Sequence, residues 1–343
     1  MKNRKIKTAG IVLAAILAAS SASGTSVWAS EMTDDQDYEF LTASSASEVV
    51  VTTEQELIDA VDASSEDPES RTKIILTRDI AVSQKLVIPE NRYIELCGDQ
   101  SGRRLSTKRK YSDSTLNPAG VILVLGDLSV HDLEISGSNL MRTVAVYDGV
   151  LTLDDGAVIS GGKITEHMNG SGIYISDNTQ TKKKAALTIN ESASVCNNTF
   201  QPTQQAASVS MEGIGVYADQ AVVVMNGGTI SGNQDNTSPQ RRERTATGGA
   251  VAINGSLASF VMNGGSIEDN TVKGNGGAFY TSNGASVVIN DGTIRNNMCY
   301  GVGGAFYLTS SLTDNYNLQI NGGIISENIA DATNSAPDTD HSL

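Results

Sequence analysis

The chain has 343 residues, with 39 acidic against 24 basic side chains and a formal charge of −15. So acidic a composition argues against nucleic acid as a partner and favours solubility. Three cysteines (Cys97, Cys196 and Cys299) are odd in number and widely spaced, which excludes a disulfide framework and fits buried small apolar residues.

Lys2, Arg4, Lys5 and Lys7 form a basic start, and Ala9 to Ala19 is apolar but shorter than the ~20 residues a membrane-spanning helix needs. Val27-Trp-Ala29 places small residues where a signal peptidase reads. The pattern predicts a signal peptide over 1–29, cleavage after Ala29 and export. With its four cations removed, the formal charge of the exported chain moves from −15 to −19. No cysteine follows the apolar stretch, and no wall-sorting signal or barrel translocator is legible further on; a soluble extracellular protein, free or held at the cell surface, is expected.

Residues 30–48 are Ser-, Ala- and acid-rich without periodicity and read as a disordered leader. Thr53-Glu-Gln-Glu56 is a capping box, with Leu57, Ile58 and Val61 as the apolar stripe of a short helix. Short β-favouring runs follow: Lys73–Leu76, Lys85–Ile88, Tyr93–Leu96, Val121–Val124 and Leu128–Val130. A corner phrase then recurs: Val224-Met-Asn-Gly-Gly-Thr-Ile-Ser-Gly-Asn233, Val261-Met-Asn-Gly-Gly-Ser-Ile-Glu-Asp-Asn270, Val288-Ile-Asn-Asp-Gly-Thr-Ile-Arg-Asn-Asn297 and Gln319-Ile-Asn-Gly-Gly-Ile-Ile-Ser-Glu-Asn328. Looser copies begin at Thr152 and Thr188.

A second phrase interleaves with it: Ala145-Val-Tyr147, Gly172-Ile-Tyr174, Gly215-Val-Tyr217, Ala250-Val-Ala252, Ala278-Phe-Tyr280 and Ala305-Phe-Tyr307. Successive copies lie 27, 43, 35, 28 and 27 residues apart. A unit of 27 residues accommodates three short strands and three bends, and stacked units pair strand on strand. The fold expected is all-β: a right-handed parallel β-helix over 49–330, closed at its start by the helix, with a polar tail over 331–343 and an uncapped end open to a partner.

Asn233, Asn270, Asn297 and Asn328 take one position of successive units and read as a structural ladder rather than a site. The Gly-Gly pairs supply corners; no lysine and helix follow to make them phosphate loops. Strand alternation aims the apolar middle of the second phrase inward and Tyr147, Tyr174, Tyr217, Tyr280 and Tyr307 outward, as one exposed row interrupted at Ala252. Such a row either packs on itself or offers a platform to sugar rings or an apolar surface; it is the candidate binding face. Arg103–Lys110, Lys182–Lys184 and Arg241–Arg244 read as basic loop insertions able to engage acidic polymers or simply solvated. His131, His167 and His341 show no metal-ligand spacing, and Asp154-Asp155 sits at a corner. No catalytic set, cofactor or metal is expected.

These phrases resemble the right-handed β-helix of the pectate-lyase-like superfamily, as found in bacterial surface proteins. Gly-Gly-Ala-Phe-Tyr with a following Ile-x-x-Asn is similar to the repeats of polymorphic outer-membrane proteins and related adhesins, with isoleucine here where phenylalanine stands there. The resemblance covers roughly residues 140–328, and Thr52 to Leu96 is similar to the capping helix and first coil. It implies a β-helix and a bacterial, adhesin-like surface role, while the same superfamily also contains polysaccharide lyases, glycoside hydrolases and inert stalks. The leading expectation is a non-catalytic protein that binds glycan or another surface; a loop-built lyase or hydrolase and a purely structural module are the alternatives.

Overall fold

The computed structural model describes residues 47–111, 118–166, 168–177, 184–202, 211–237, 246–309 and 317–331. The predicted signal peptide, the leader up to residue 46, His167, Lys182, Lys183, Arg241–Arg244, His341 and the tail beyond Asp331 lie outside the described residues.

The first described strand, Glu48–Val51, takes one residue from the segment read as leader. It is followed by the one helix among the described residues, Glu54–Asp62. Thr53 Oγ1 accepts the Glu56 amide at 3.2 Å, and Glu56 Oε2 accepts the Thr53 amide at 3.2 Å and the Thr52 amide at 2.7 Å. These amides donating into the carboxylate hold Glu56 below its ordinary pKa. Leu57, Ala60 and Val61 are buried against the first strands.

Among the described residues every strand pairing is parallel. A ten-stranded sheet takes Glu48–Val51, Thr72–Leu76, Tyr93–Gly98, Asp127–His131, Val150–Leu153, Ala186–Ile189, Val222–Met225, Ser259–Met262, Ser286–Ile289 and Asn317–Ile320, in chain order. A nine-stranded second sheet runs from Ile80–Val82 to Ile324–Ser326, and an eight-stranded third sheet from Leu86–Ile88 to Phe306–Leu308. From Lys163–Ile164 onward each repeat also adds a two-residue strand to a fourth sheet of six. The chain therefore visits the sheets in turn, and each visit pairs with the one before. Such an arrangement is compatible with a parallel β-helix.

The cause lies in alternation. Leu151, Leu187, Val223, Phe260 and Val287 stand in register across the first sheet and are fully buried, while Thr152, Thr188, Val224, Val261 and Val288 point the other way. Ile135, Ile159, Val195, Ile230, Ile267 and Ile294 do the same across the second sheet. Aromatic rings fill the core near its far end: Phe260 meets Phe279 edge-on at 5.0 Å, and Phe279 stacks on Phe306 at 5.2 Å. A smaller apolar cluster of Ile164, Phe200, Met211, Ile214, Ala246, Val272 and Cys299 lies under the fourth sheet. Asp235 interrupts its column between Phe200 and Val272. Its carboxylate accepts the amides of Thr237 and Ala246 at 2.8 Å and of Lys273 at 3.2 Å, and burial pushes its pKa up.

At the last repeat the inward isoleucines lose their cover: Ile320 and Ile325 are 50 % and 39 % exposed, and Ile324 and Ile329, in outward columns, are 62 % and 54 % exposed. Among the described residues nothing pairs with the outer edges of these strands.

One element differs from the sequence reading. Arg103–Thr107, read as a basic loop, is a strand of the second sheet, because Leu105 and Thr107 are buried in alternation with polar neighbours.

Candidate functional site

The tyrosines of the third sheet form two pairs rather than one row. Register places Ala145, Tyr174, Tyr217, Ala252, Tyr280 and Tyr307 side by side. Tyr147 pairs with Ser176 instead, two residues along the same face, in the column of Asp219, Asn254 and Ser282. The phrase Val144-Ala-Val-Tyr147 carries its tyrosine one alternation later than Ile173-Tyr174, so aligning the tyrosines misplaces it. Tyr174 and Tyr217 stack at 5.7 Å with planes 20° apart; Tyr280 and Tyr307 stack at 5.8 Å with planes 19° apart.

Exposure also departs from expectation, for Tyr217 is buried at 6 %. The last five of the eight strands of this sheet are each preceded by a glycine in the left-handed region: Gly170, Gly213, Gly248, Gly276 and Gly303 have φ between 65° and 80°. That turn lays the preceding backbone over the column. A Cβ on Gly213 would lie 3.0 Å from the Tyr217 Cα, and one on Gly248 would lie 3.1 Å from the Cβ atoms of Ala252 and Tyr280. The buried Arg142 sits 4.7 Å from the Tyr174 ring centre and donates to the carbonyls of Ala119, Asn169 and Gly170 at 2.7–2.9 Å. Burial drives the Tyr217 phenol well above its ordinary pKa, opposed by its hydrogen bond to Asn169. Tyr280 is raised for the same reason, but both it and Tyr307 remain half-exposed.

The predicted asparagine ladder is present and one rung longer. Asn198, Asn233, Asn270 and Asn297 are each fully buried, and Asn328 is partly so. Each rung donates its backbone amide and its Nδ2 to Oδ1 of the next: Asn233 to Asn270 at 3.1 and 2.8 Å, Asn270 to Asn297 at 3.2 and 2.9 Å. Nδ2 also returns to a carbonyl of the preceding repeat, as from Asn270 to Ile230 at 2.9 Å. The residue before each rung is left-handed, with φ between 54° and 64° at Asn197, Gly232, Asp269, Asn296 and Glu327. A second row, which sequence reading treated only as corner residues, runs outside: Asn190 donates to Asp154 at 2.6 Å, Asn226 to Asn190 at 3.0 Å, Asn263 to Asn226 at 2.9 Å, Asn290 to Asn263 at 2.8 Å and Asn321 to Asn290 at 2.7 Å. Asp154, set aside as half of a corner acid pair, is the head of that row.

The cations of the Arg103–Lys110 segment are engaged within the chain. Arg103 pairs with Asp99, Arg104 with Glu134 at 3.2 Å, Lys108 with Glu54 at 3.3 Å and Lys110 with Glu166 at 2.7 Å, while Arg109 donates to the Ser83 carbonyl at 2.7 Å. They offer little free charge to an acidic polymer.

On the outer face of the first sheet, Glu95, Cys97 and His131 bring one carboxylate oxygen, a sulfur and an imidazole nitrogen within 4.8 Å of one another. His131 Nε2 lies 2.9 Å from Glu95 Oε1, and Nδ1 lies 3.2 Å from Asp132 Oδ2. Burial of the ring opposes its charging, yet the two carboxylates outweigh that and raise its pKa. Burial pushes the Cys97 thiol up to about 11, so it is a thiol, not a ready nucleophile. Sequence spacing missed this group because its members sit on adjacent strands, 34 residues apart between Cys97 and His131.

With this geometry in hand, comparison with known proteins adds nothing further: no family model, no curated protein and no solved structure matches the chain.

Proposed function

We propose that the chain is an exported, non-catalytic right-handed parallel β-helix that holds a glycan or another surface against Tyr280 and Tyr307. The observation that carries this reading is the offset pair itself: two half-exposed rings, 5.8 Å apart and nearly parallel, on the outer side of one sheet. Offset aromatic faces present a broad apolar platform with polar phenol rims, suited to the C–H face and hydroxyls of a sugar ring. The sheet behind them is in register from Val144 to Leu308, so the platform is pre-organised and little ordering entropy opposes binding. Repeats similar to those of bacterial surface adhesins fit the same role, as does the export signal read in residues 1–29.

A glycan array probed with residues 30–343, followed by titration of the best hit, tests the reading. Binding at least tenfold weaker in a Tyr280→Ala, Tyr307→Ala double variant, with Tyr147→Ala unchanged, is expected. Absence of any hit, or equal binding by the double variant, overturns it. Release of new reducing ends or unsaturated products from the bound glycan would overturn the non-catalytic part and favour a lyase or hydrolase.

A further inference from the structure

We propose that Glu95, Cys97 and His131 form a site for a zinc-class divalent cation, with Asp132 as the group that orients the histidine. Cys97 and His131 are paired in register on neighbouring strands, and Glu95 precedes Cys97 by two residues, so all three project from one face. Their donor atoms already lie within 4.8 Å of one another, close enough to converge on a single ion. Thiolate, imidazole and carboxylate together select a borderline-soft metal such as zinc over magnesium or calcium, which take oxygen ligands. Three protein ligands leave a fourth position for water. On binding, the thiol proton and any proton held between Nε2 and Glu95 pass to solvent, and sulfur–metal, nitrogen–metal and oxygen–metal bonds form in their place.

Asp132 supplies what a ligating histidine requires on its other nitrogen. Its Oδ2 is 3.2 Å from Nδ1, and Ser101 Oγ steadies Oδ1 at 3.2 Å. A carboxylate there fixes the tautomer and ring direction that leave Nε2 free for a metal. Asp132 reaches this place through a left-handed backbone, φ 49°, as do other corner residues of the stack.

A second observation is independent of the distances. Continuing the Leu153–Val130 register, the position of His131 is taken in later repeats by Asp154, Asn190, Asn226, Asn263, Asn290 and Asn321, the outer hydrogen-bonded row. Hydrogen bonding alone would be served by the same amide. The first repeats instead place a thiol and an imidazole there, and Asp154 follows before five successive asparagines keep the rule. Lys73 lies 3.7 Å from Glu95, long enough to release an oxygen to a metal.

Cobalt(II) titration of the full chain, kept reduced by a non-chelating phosphine, tests the site. A near-ultraviolet sulfur-to-cobalt charge-transfer band saturating at one equivalent, and displaced by zinc, is expected. Cys97→Ser should abolish the band while Cys196→Ser leaves it. Asp132→Asn should keep the band but weaken affinity about 10–100-fold. Absence of the band in the wild-type chain, or its persistence in Cys97→Ser, overturns the proposal. If Cys97→Ser fails to fold, His131→Gln decides: affinity for cobalt unchanged within twofold overturns the site, and loss of at least tenfold upholds it.

Discussion

Two rows of asparagines run along the same stack of repeats, one buried and one exposed, and they show how differently one side chain acts in two solvents. Asn270 has no exposed surface, and its Oδ1 is the acceptor for both donors of Asn233. Asn263, seven residues earlier in the same phrase, makes a comparable 2.9 Å bond to Asn226 in full view of water. The distances are alike; the alternatives are not. Where water can replace the partner, a hydrogen bond contributes little, and where it cannot, an unmade bond costs the whole desolvation of the stranded group.

The largest effect should therefore come from Asn270→Ala, which strands the amide of Asn233 and one of its two Nδ2 hydrogens, the other staying on the Val195 carbonyl, and removes the Asn270 Nδ2 bonds to Ile230 and Asn297. A loss of about 4 kcal/mol in urea unfolding is expected, from roughly 1–3 kcal/mol per stranded buried donor. A loss below about 1 kcal/mol would break the comparison. Gly265→Ala, at the corner between the rows, comes next. Its φ is 84° and an added Cβ would lie 2.6 Å from the backbone of Gly227, so a loss of about 2–3 kcal/mol is expected in the same measurement. Asn263→Ala should be smallest, at about 0.5 kcal/mol or less. A value approaching that of Asn270→Ala would show the outer row to be structural in its own right.

Most of the architecture was legible because strand alternation and the repeat period act on every residue alike. The inward isoleucines and four of the five ladder asparagines could be read directly. Asn198 escaped because the phrase starting at Thr188 carries an extra residue, which shifts the count but not the position in space. Tyr147 was misassigned because register follows the whole strand, and Val144 rather than Val146 pairs with Ile173. Tyr217 was expected in the open, but the left-handed glycines that make the corners also fold the chain back over it, and no residue pattern announces that cover. The Glu95–Cys97–His131 group was invisible to spacing rules for a related reason. In stacked strands, neighbours in space are a full repeat apart in sequence.

The buried row has a further consequence. Asn270 bonds Ile230 behind it and Asn297 ahead of it, so one amide ties together two repeats that do not pair with each other. Stacked-repeat proteins are commonly treated as chains in which only nearest neighbours interact. Here each ladder bond still joins nearest neighbours, but every rung sits in two interfaces at once, so a boundary between folded and unfolded repeats leaves buried ladder donors without their acceptor wherever it falls. Frayed ends should consequently be short, and the stack should melt as a longer block than its strand pairing alone would allow.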